Sequence, residues 1–183
     1  MQDLMIDLET MGINSNAVIT QIGACFFNRD TGEITKKFLQ NVTISSCLKA
    51  GLEVDESTIL WWMKQSDEAR KNVYYNEDDV YPLQKALLNF KIFFPPGLHD
   101  VVYTWSHATF DFVILLNAFK KIDLQSPFSY RRALDIRTLV HLVNLNYKDE
   151  TFSEGLHIHN ALDDCIRQVR YVVEALKLLK GGA

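Results

Sequence analysis

Residues 4–10, Leu-Met-Ile-Asp-Leu-Glu-Thr, are the stretch that decides the fold. Their apolar character predicts a short buried strand over residues 4–8. Side chains alternate across a strand, so Asp7 and Glu9 point to one face and Leu8 points to the other. Two carboxylates on one face can converge on a single cation. Taken alone, the pair is equally compatible with two acids that face water at the end of a strand.

Apolar patterning on either side of this strand predicts a mixed α/β domain. A Thr-Gly turn at residues 31–32 joins two strands of an antiparallel meander, at 17–28 and 33–42, and a fourth strand is expected at 101–105. Helices are expected over 55–72, with Asp55 as N-cap, and over 80–94, 109–121, 135–145 and 160–179. The chain shows no repeat, linker or change of composition, so we predict one domain over residues 1–183.

Composition limits the class of protein. Of the 183 residues, 48% are hydrophobic and 23% are charged, which is typical of a soluble globular chain. The longest apolar runs have five residues, such as 112–116, whereas a membrane span needs about 20. Cys25, Cys47 and Cys165 are scattered, which argues against a disulfide framework. We therefore expect a cytoplasmic protein with no membrane partner.

The net charge of −4, from 19 basic and 23 acidic residues, gives no support to a general basic surface that binds nucleic acid. Proteins that bind duplex DNA mainly through its phosphates are disfavoured. A nucleic-acid substrate is still compatible with this charge, because acidic residues gathered around metal ions carry a charge that the metals cancel.

A second acidic signal lies at residues 109–112, Thr-Phe-Asp-Phe. Asp111 follows a predicted strand and lies in the first turn of a predicted helix. An acid in that position also has an ordinary explanation, because it complements the helix dipole. Alone, this motif is structural as readily as functional.

A third signal lies at residues 159–164, His-Asn-Ala-Leu-Asp-Asp, at the start of the last predicted helix. Helical periodicity puts Asp164 next to the buried stripe of that helix. The same periodicity puts Asp163 on the opposite, solvated side together with Arg167. His159 can approach Asp164 only if it belongs to the loop that enters the helix.

Together the three segments supply four inward carboxylates, Asp7, Glu9, Asp111 and Asp164, and one histidine. Carboxylates without thiolates favour hard cations such as Mg²⁺ or Mn²⁺. Like charges at this range raise each other's pKa, so the four acids need metal to share a site. Two divalent ions balance the four carboxylates and suit in-line cleavage of a phosphodiester.

The order of these motifs resembles that of the DEDDh superfamily, the proofreading-type 3′→5′ exonucleases with an RNase H-like fold. The likeness lies in Asp7-x-Glu9-Thr10, Phe110-Asp111 and His159-x-Ala161-Leu162-x-Asp164. Residues 59–66, Ile-Leu-Trp-Trp-Met-Lys-Gln-Ser, and residues 159–164 are similar to a phage and prophage branch that includes exodeoxyribonuclease VIII-like proteins. The resemblance implies a mixed five-stranded sheet, flanked by helices, whose first three strands are antiparallel.

The resemblance also implies roles for the motif residues. Asp7 would bridge two metal ions. Glu9 and Asp164 would complete the site of the ion that carries the nucleophile, and Asp111 would hold the second ion. His159 would take the proton from the attacking water, a task that suits a group with a pKa near neutrality.

Substrate contacts follow from the same resemblance. The backbone around Thr10 and Met11 would cradle the 3′-terminal nucleotide. Trp61 falls on the polar side of its predicted helix, where it would either stack on a base or pack against another element.

Other prominent side chains have ordinary explanations. We expect Trp62 to lie in the core with Ile59 and Met63.

Many relatives carry an asparagine shortly before the second-motif aspartate, whereas this chain has Ser-His-Ala-Thr at residues 106–109. The histidines without partners at ligand spacing are expected to be structural or on the surface: His99, His107, His141 and His157.

The sequence therefore predicts a metal-dependent 3′→5′ exonuclease that uses two Mg²⁺ or Mn²⁺ ions. We expect it to release 5′-mononucleotides from single strands with a free 3′-hydroxyl, and the phage-like branch favours DNA over RNA. An exoribonuclease acting on short RNA or RNA 3′ ends is the alternative within the class. An inert RNase H-like module that binds nucleic acid is the alternative outside it, and the presence of all five expected catalytic residues argues against that alternative.

Overall fold

The computed structural model describes residues 2–73, 80–98 and 101–181. Within these ranges the chain forms six strands and seven α-helices. The strands are β1 (Gln2–Thr10), β2 (Ile19–Asn28), β3 (Ile34–Val42), β4 (Val80–Tyr81), β5 (Thr104–Ser106) and β6 (Ala133–Asp135). The helices are α1 (Ile44–Lys49), α2 (Glu56–Met63), α3 (Asp67–Val73), α4 (Leu83–Phe93), α5 (Val113–Lys121), α6 (Ile136–Leu142) and α7 (Ala161–Gly181). In the described ranges, no helix combines the length and the apolar character that crossing a bilayer requires.

The strands form one mixed sheet in the order β4-β3-β2-β1-β5-β6. β1, β2 and β3 are antiparallel neighbours, while β5 pairs parallel with β1, β6 with β5 and β4 with β3. The predicted α/β class and the antiparallel meander are confirmed. The described part of the chain has six strands rather than the expected five. β4 and β6 are edge strands of two and three residues, too short to show an alternating pattern.

β1 separates two hydrophobic layers. Its even-numbered residues, such as Leu4 and Leu8, pack in the cluster that α4 and α5 cover. Met5 lies on the other face, in the cluster that α6 and α7 cover. Because side chains alternate along a strand, Asp7 and Glu9 continue the face of Met5 and point towards α7.

The helix predicted over 55–72 is two helices. Asp55 caps α2 as expected, since its carboxylate accepts hydrogen bonds from two backbone N–H groups of the first turn. α2 ends at Met63, and Ser66 begins α3 by accepting a hydrogen bond of 3.2 Å from the Ala69 N–H. A serine that binds the backbone in this way favours a helix start over a helix interior.

Trp62 is the buried side chain of α2, and its indole N–H donates to the Thr10 carbonyl oxygen at 2.9 Å. The expectation that Ile59 and Met63 share the core with it is wrong, because both are exposed. One tryptophan with a specific hydrogen bond, rather than an apolar stripe, fixes the rotation of α2 against the sheet.

Other boundaries differ by a few residues. The helix predicted from residue 80 begins at Leu83, because Pro82 disfavours a helical conformation in the residue before it. The helix predicted over 109–121 opens with one π-helical turn, Ala108–Phe112. β2 begins at Ile19 rather than at residue 17, β5 lies at Thr104–Ser106 rather than 101–105, and α6 ends at Leu142 rather than at residue 145. Helix α1 was not predicted.

The first turn of α7 lies directly on β2. Gly23 is the strand partner of Asp7, and a Cβ on it would come within 2.6 Å of the Leu162 nitrogen and closer still to the Ala161 carbonyl group. The Ala161 N–H donates to the Gln21 side-chain oxygen at 2.7 Å. A glycine at this position therefore lets the start of α7 approach the carboxylates of β1.

Gly23→Ala is expected to destabilise the fold, because the added methyl group overlaps the backbone of α7. We expect a loss of about 1–3 kcal/mol in the free energy of unfolding, measured by urea denaturation. Gly181→Ala is the matched control, because a Cβ there meets no atom within 4 Å, and it should leave stability unchanged or slightly higher. Equal stability of the two variants would contradict the close contact at Gly23.

Candidate active site

Asp7 and Glu9 end β1 as buried carboxylates. Asp7 is 8% exposed, and its Oδ1 accepts a hydrogen bond of 2.6 Å from the side-chain amide of Gln168 on α7. Glu9 is also buried, and the pairing of β1 with β2 shifts register between Glu9 and Thr10. Such β-bulges redirect side chains. The two acids therefore stand where regular strand pairing ends.

Asp111 is held at the same edge by backbone N–H groups. It is 1% exposed, its Oδ1 accepts from the Leu8 N–H at 3.2 Å, and its Oδ2 accepts from the His107 N–H at 3.0 Å. The Leu4 N–H, on the same side of β1, donates to the segment just before β5. β5 ends at Ser106, so Asp111 takes the place of a strand partner for Leu8. This pairing explains the position of Asp111 better than the helix dipole does.

The start of α7 brings the remaining residues to this edge. Asn160 caps the helix, because its side-chain oxygen accepts from the Leu162 and Asp163 N–H groups at 3.1 and 3.2 Å. His159 precedes the cap and has a left-handed backbone, with φ of 60°, which histidine adopts more readily than most residues. His159 thus lies in the loop that enters the helix, from which it can approach Asp164.

Asp164 and Asp163 have different surroundings. Asp164 is buried, whereas Asp163 is half-buried and accepts a hydrogen bond of 2.9 Å from the His157 N–H in the preceding loop. The prediction that Arg167 lies on the side of Asp163 is wrong. Its guanidinium contacts the Asp164 carboxylate at 2.8 Å, since residues three apart on a helix are neighbours.

His159 packs edge-on against two tryptophans of α2. Its ring centroid lies 5.1 Å from that of Trp61 and 5.6 Å from that of Trp62. Burial lowers the pKa of His159 below its usual value; Asp164 opposes this shift and Arg167 adds to it. The ring is therefore neutral at pH 7 and able to accept a proton.

Two groups of potential metal ligands meet at this edge of the sheet. They are Asp7, His107 and Asp111 in one group, and Glu9, His159 and Asp164 in the other. Within each group the ligand atoms lie within 4.8 Å of one another. The structure therefore brings together the four carboxylates and the histidine of the three sequence motifs, and it adds His107.

The expectation that His107 has no partner at ligand spacing is wrong. Its side chain is 23% exposed, and its Nδ1 lies 3.4 Å from Asp111 Oδ2. His141 and His157 are exposed on the surface, as expected. The expectation for His99 lies outside the described residues.

Burial and mutual repulsion disfavour the charged forms of these acids. Burial raises the pKa of Asp7 well above its usual value, and repulsion from Asp111 and Asp164 adds to the shift. Burial, with repulsion from Asp164 and Asp111, likewise raises the pKa of Glu9. Burial also raises the pKa of Asp164, although the neighbouring Arg167 opposes it. The cluster holds more negative charge than its protein partners balance.

Asp3 shows how the same face of β1 accommodates a buried acid without an added ion. Arg29 contacts its carboxylate through hydrogen bonds of 2.8 and 2.6 Å, and the Trp105 indole N–H donates a third of 2.7 Å. Asp7 has the Gln168 amide and like-charged neighbours instead. A buried set of oxygen ligands with excess negative charge fits Mg²⁺ or Mn²⁺.

A cavity of about 400 Å³ opens beside Glu9. Its lining includes Thr10, Trp61, Trp62 and Phe110, and Trp61 is 43% exposed. The cavity therefore joins the carboxylate cluster to an aromatic surface.

Met11 is placed differently from Thr10. It is buried in the core, its N–H donates to the Val18 carbonyl oxygen at 2.9 Å, and its own carbonyl oxygen accepts from the Asp55 N–H at 2.7 Å. The structure thus places Thr10 and Trp61 in the lining of the cavity, whereas Met11 is a core residue outside that lining.

Sequence reasoning missed Gln168 as a partner of Asp7. Gln168 lies in the buried stripe of α7 and is 1% exposed. A polar side chain at a core position needs a hydrogen-bond partner. That requirement was the signal in the sequence that could have found it.

Several solved structures with a similar fold are nucleases. The nuclease domain of 3′hExo, a DEDDh family member bound to rAMP, superposes with a TM-score of 0.54 at 15% identity, covering 96% of this chain and 92% of that chain. E. coli exonuclease I in complex with a dA16 oligonucleotide gives a TM-score of 0.62 at 13% identity, covering 98% of this chain and 41% of that chain. Exonuclease X in complex with 5′ overhanging duplex DNA gives a TM-score of 0.58 at 15% identity, covering 95% of this chain and 90% of that chain.

The mixed sheet is therefore the RNase H-like fold of these enzymes, and the chain is a 3′→5′ exonuclease. A sequence profile places it more narrowly. The chain belongs to the family described as the 3′-5′ exoribonuclease Rv2179c-like domain, which matches residues 2–176. An exodeoxyribonuclease of Enterobacteria phage T4 is 26% identical over 213 residues, covering 99% of this chain and 92% of the phage protein.

Without metal, the stability of the protein is expected to fall as the pH rises above about 4, the usual carboxyl pKa, towards the raised pKa values of Asp7 and Glu9, and we would measure it between about pH 5 and 8. The raised pKa values of Asp7 and Glu9 mean that the folded protein keeps protons that the unfolded chain releases near pH 4. Mg²⁺ or Mn²⁺ should remove most of this dependence by stabilising the charged carboxylates. Urea unfolding across this pH range, with chelator or with metal, measures the effect.

Asp7→Asn should raise the metal-free stability at pH 8, because it removes a repelling charge and keeps an oxygen for the Gln168 amide. Asp163→Asn is the matched control and should change it little, since Asp163 lies away from the cluster. A metal-free stability that stays constant or increases from pH 5 to 8 would contradict the assigned electrostatics.

Proposed function

We propose that this exonuclease hydrolyses phosphodiester bonds with the help of two divalent ions and releases 5′-mononucleotides from the 3′ end of single-stranded DNA. The observation that carries the proposal is the buried carboxylate cluster with the ring of His159 beside it. The adjoining cavity offers space for a terminal nucleotide.

The carboxylates are proposed to hold the ions. Asp7, in the ligand group of Asp111 and His107, would serve both ions, which is the role that the motif resemblance implies for it. Glu9 and Asp164 complete one site, and Asp111 belongs to the other. The Gln168 amide fixes the orientation of Asp7. When bound, Mg²⁺ or Mn²⁺ supplies positive charge that stabilises the attacking and leaving oxygens of the phosphodiester.

His159 is proposed to accept the proton of the attacking water. Burial keeps its pKa low, so the ring is unprotonated at neutral pH. Trp61 and Trp62 hold the ring by edge contacts. The backbone of His159 is left-handed, and a ring nitrogen lies within 4.8 Å of a carboxylate oxygen of Asp164.

The cavity beside Glu9 is proposed to bind the 3′-terminal nucleotide. Trp61 supplies an aromatic face on which a base can stack. Three donors of the lining are already used by the protein: Trp62 Nε1 to the Thr10 carbonyl at 2.9 Å, Thr10 Oγ1 to the Gly12 carbonyl at 2.7 Å, and Ser57 Oγ to Asp55 at 2.5 Å. The cavity therefore contacts a base mainly through apolar surface, and activity should depend little on base identity. Glu9 can accept a hydrogen bond from a free 3′-hydroxyl.

DNA is proposed as the preferred substrate because the phage T4 relative, which matches over almost the whole chain, is described as an exodeoxyribonuclease. That relative also supports assignment to the phage and prophage branch with exodeoxyribonuclease VIII-like proteins. The description of the matching family as exoribonuclease favours RNA 3′ ends as the second candidate.

The cellular setting is also a proposal. Cys25, Cys47 and Cys165 are free and buried. Thiols of this kind fit a reducing compartment. We therefore propose a cytoplasmic enzyme that acts as a single domain over residues 1–183.

Digestion of matched DNA and RNA strands, each labelled at the 5′ end, tests the proposal. With Mg²⁺ or Mn²⁺ we expect a ladder that shortens from the 3′ end, faster for DNA, and no reaction with chelator. A 3′-phosphate should block the reaction, because it adds negative charge beside four carboxylates. Faster digestion of RNA would select the second candidate. Immediate release of labelled mononucleotide, or cleavage of closed circles, would defeat the proposal.

Asp164→Asn should lower the rate of nucleotide release by several orders of magnitude, because it removes a buried carboxylate from the cluster. Asp163→Asn is its neighbouring control and should have a small effect, since an asparagine oxygen can still accept from the His157 N–H. Release rates of the two purified variants at saturating metal make the comparison. Equal losses would show that the assignment of Asp164 to the site is mistaken.

His159→Ala should lower the rate roughly 10²–10⁴-fold, the usual range for a lost general base. In the native enzyme the rate should rise as the histidine loses its proton, with a midpoint below about 6.5, because burial lowers the pKa of His159. The variant should lack this rise in a pH–rate profile. A profile identical to that of the native enzyme would exclude His159 as the base.

A further inference from the structure

We propose that His107 is a direct ligand of the metal ion that Asp7 and Asp111 hold. The inference rests on the proposed metal-dependent function and adds an imidazole to a site otherwise assigned to carboxylates. It concerns the group of ligand atoms at the end of β5, which lie within 4.8 Å of one another.

The distance between the His107 ring and Asp111 is that of two ligands of one ion. His107 Nδ1 lies 3.4 Å from Asp111 Oδ2, longer than the roughly 2.7–3.2 Å of a protein N–H···O hydrogen bond. Adjacent ligands about 2.1 Å from an octahedral ion are about 3 Å apart. A small movement of the ring therefore lets both atoms contact the same cation.

The backbone holds the ring at this point. The His107 N–H donates to Asp111 Oδ2 at 3.0 Å, and the next N–H, of Ala108, donates to Asp135 Oδ1 at 3.1 Å. Asp135 is itself fixed as the N-cap of α6. The turn that carries His107 is thus anchored by two carboxylates, while its side chain remains 23% exposed.

An imidazole ligand has a consequence for metal preference. Imidazole is a ligand for transition metals more than for Mg²⁺, whereas carboxylates bind both Mg²⁺ and Mn²⁺. The ion held by Asp7, Asp111 and His107 should therefore be Mn²⁺ in preference to Mg²⁺. The competing interpretation is that His107 only supports Asp111 and never contacts the ion.

Pulsed EPR of the Mn²⁺-loaded protein labelled with [¹⁵N]histidine distinguishes these interpretations. We expect the ¹⁵N hyperfine coupling of an imidazole bonded to Mn²⁺ in the native protein. The coupling should be lost in His107→Ala and in His107→Asn, which keeps a polar side chain if the alanine variant fails to fold. It should persist in His159→Ala and in His157→Ala, the matched control on the surface.

Calorimetric titration supplies a second measurement. His107→Ala should weaken the binding of Mn²⁺ to one site at least about tenfold and weaken Mg²⁺ less. Absence of the ¹⁵N coupling in native protein, or its survival in His107→Ala, would overturn the proposal. Native protein that shows the coupling but releases no nucleotide would instead refute the proposed function and leave the His107 ligand standing.

Discussion

The close approach of α7 to β2 at Gly23 is the constraint on which the active site depends. Gly23 is paired with Asp7 in the sheet, so the missing side chain lies beside the carboxylate that α7 must reach. With the helix seated there, Gln168 binds Asp7 and Asp164 enters the cluster. The glycine has no chemistry of its own, yet it sets the distance between two motifs that are more than 150 residues apart in sequence.

That arrangement gathers charge that the folded chain cannot neutralise. Asp3, on the same face of β1, is satisfied by Arg29 and an indole N–H, whereas Asp7 is surrounded by acids. Arg167 offsets part of the charge at Asp164. The raised pKa values of Asp7, Glu9 and Asp164 reflect the negative charge that remains, and bound cations would neutralise it. We therefore expect metal binding at this cluster, where a phosphodiester would be cleaved, to stabilise the folded protein.

The parts of this site that could be predicted from sequence lie on regular strands and helices, where a fixed periodicity determines the direction of each side chain. Strand alternation placed Asp7 and Glu9 on one face, and helical phase separated Asp164 from Asp163. His107 escaped prediction because it lies in the turn between β5 and α5, where no period applies. The fold followed the same rule: the long antiparallel strands were recognisable, whereas β4 and β6 are too short to carry a pattern. The prediction of a single helix over residues 55–72 was wrong at Ser66, because its hydroxyl accepts a hydrogen bond from the Ala69 N–H and begins a new helix.

The most direct test of the central claim is an anomalous difference map from a crystal of the protein loaded with Mn²⁺. The claim is that the edge of the sheet where β1 ends is a site for two divalent ions that share Asp7. The map should show two peaks, both bonded to Asp7, one also to Glu9 and Asp164 and the other to Asp111. A map with no peak at Asp7, or with Mn²⁺ bound only elsewhere on the protein, would contradict it.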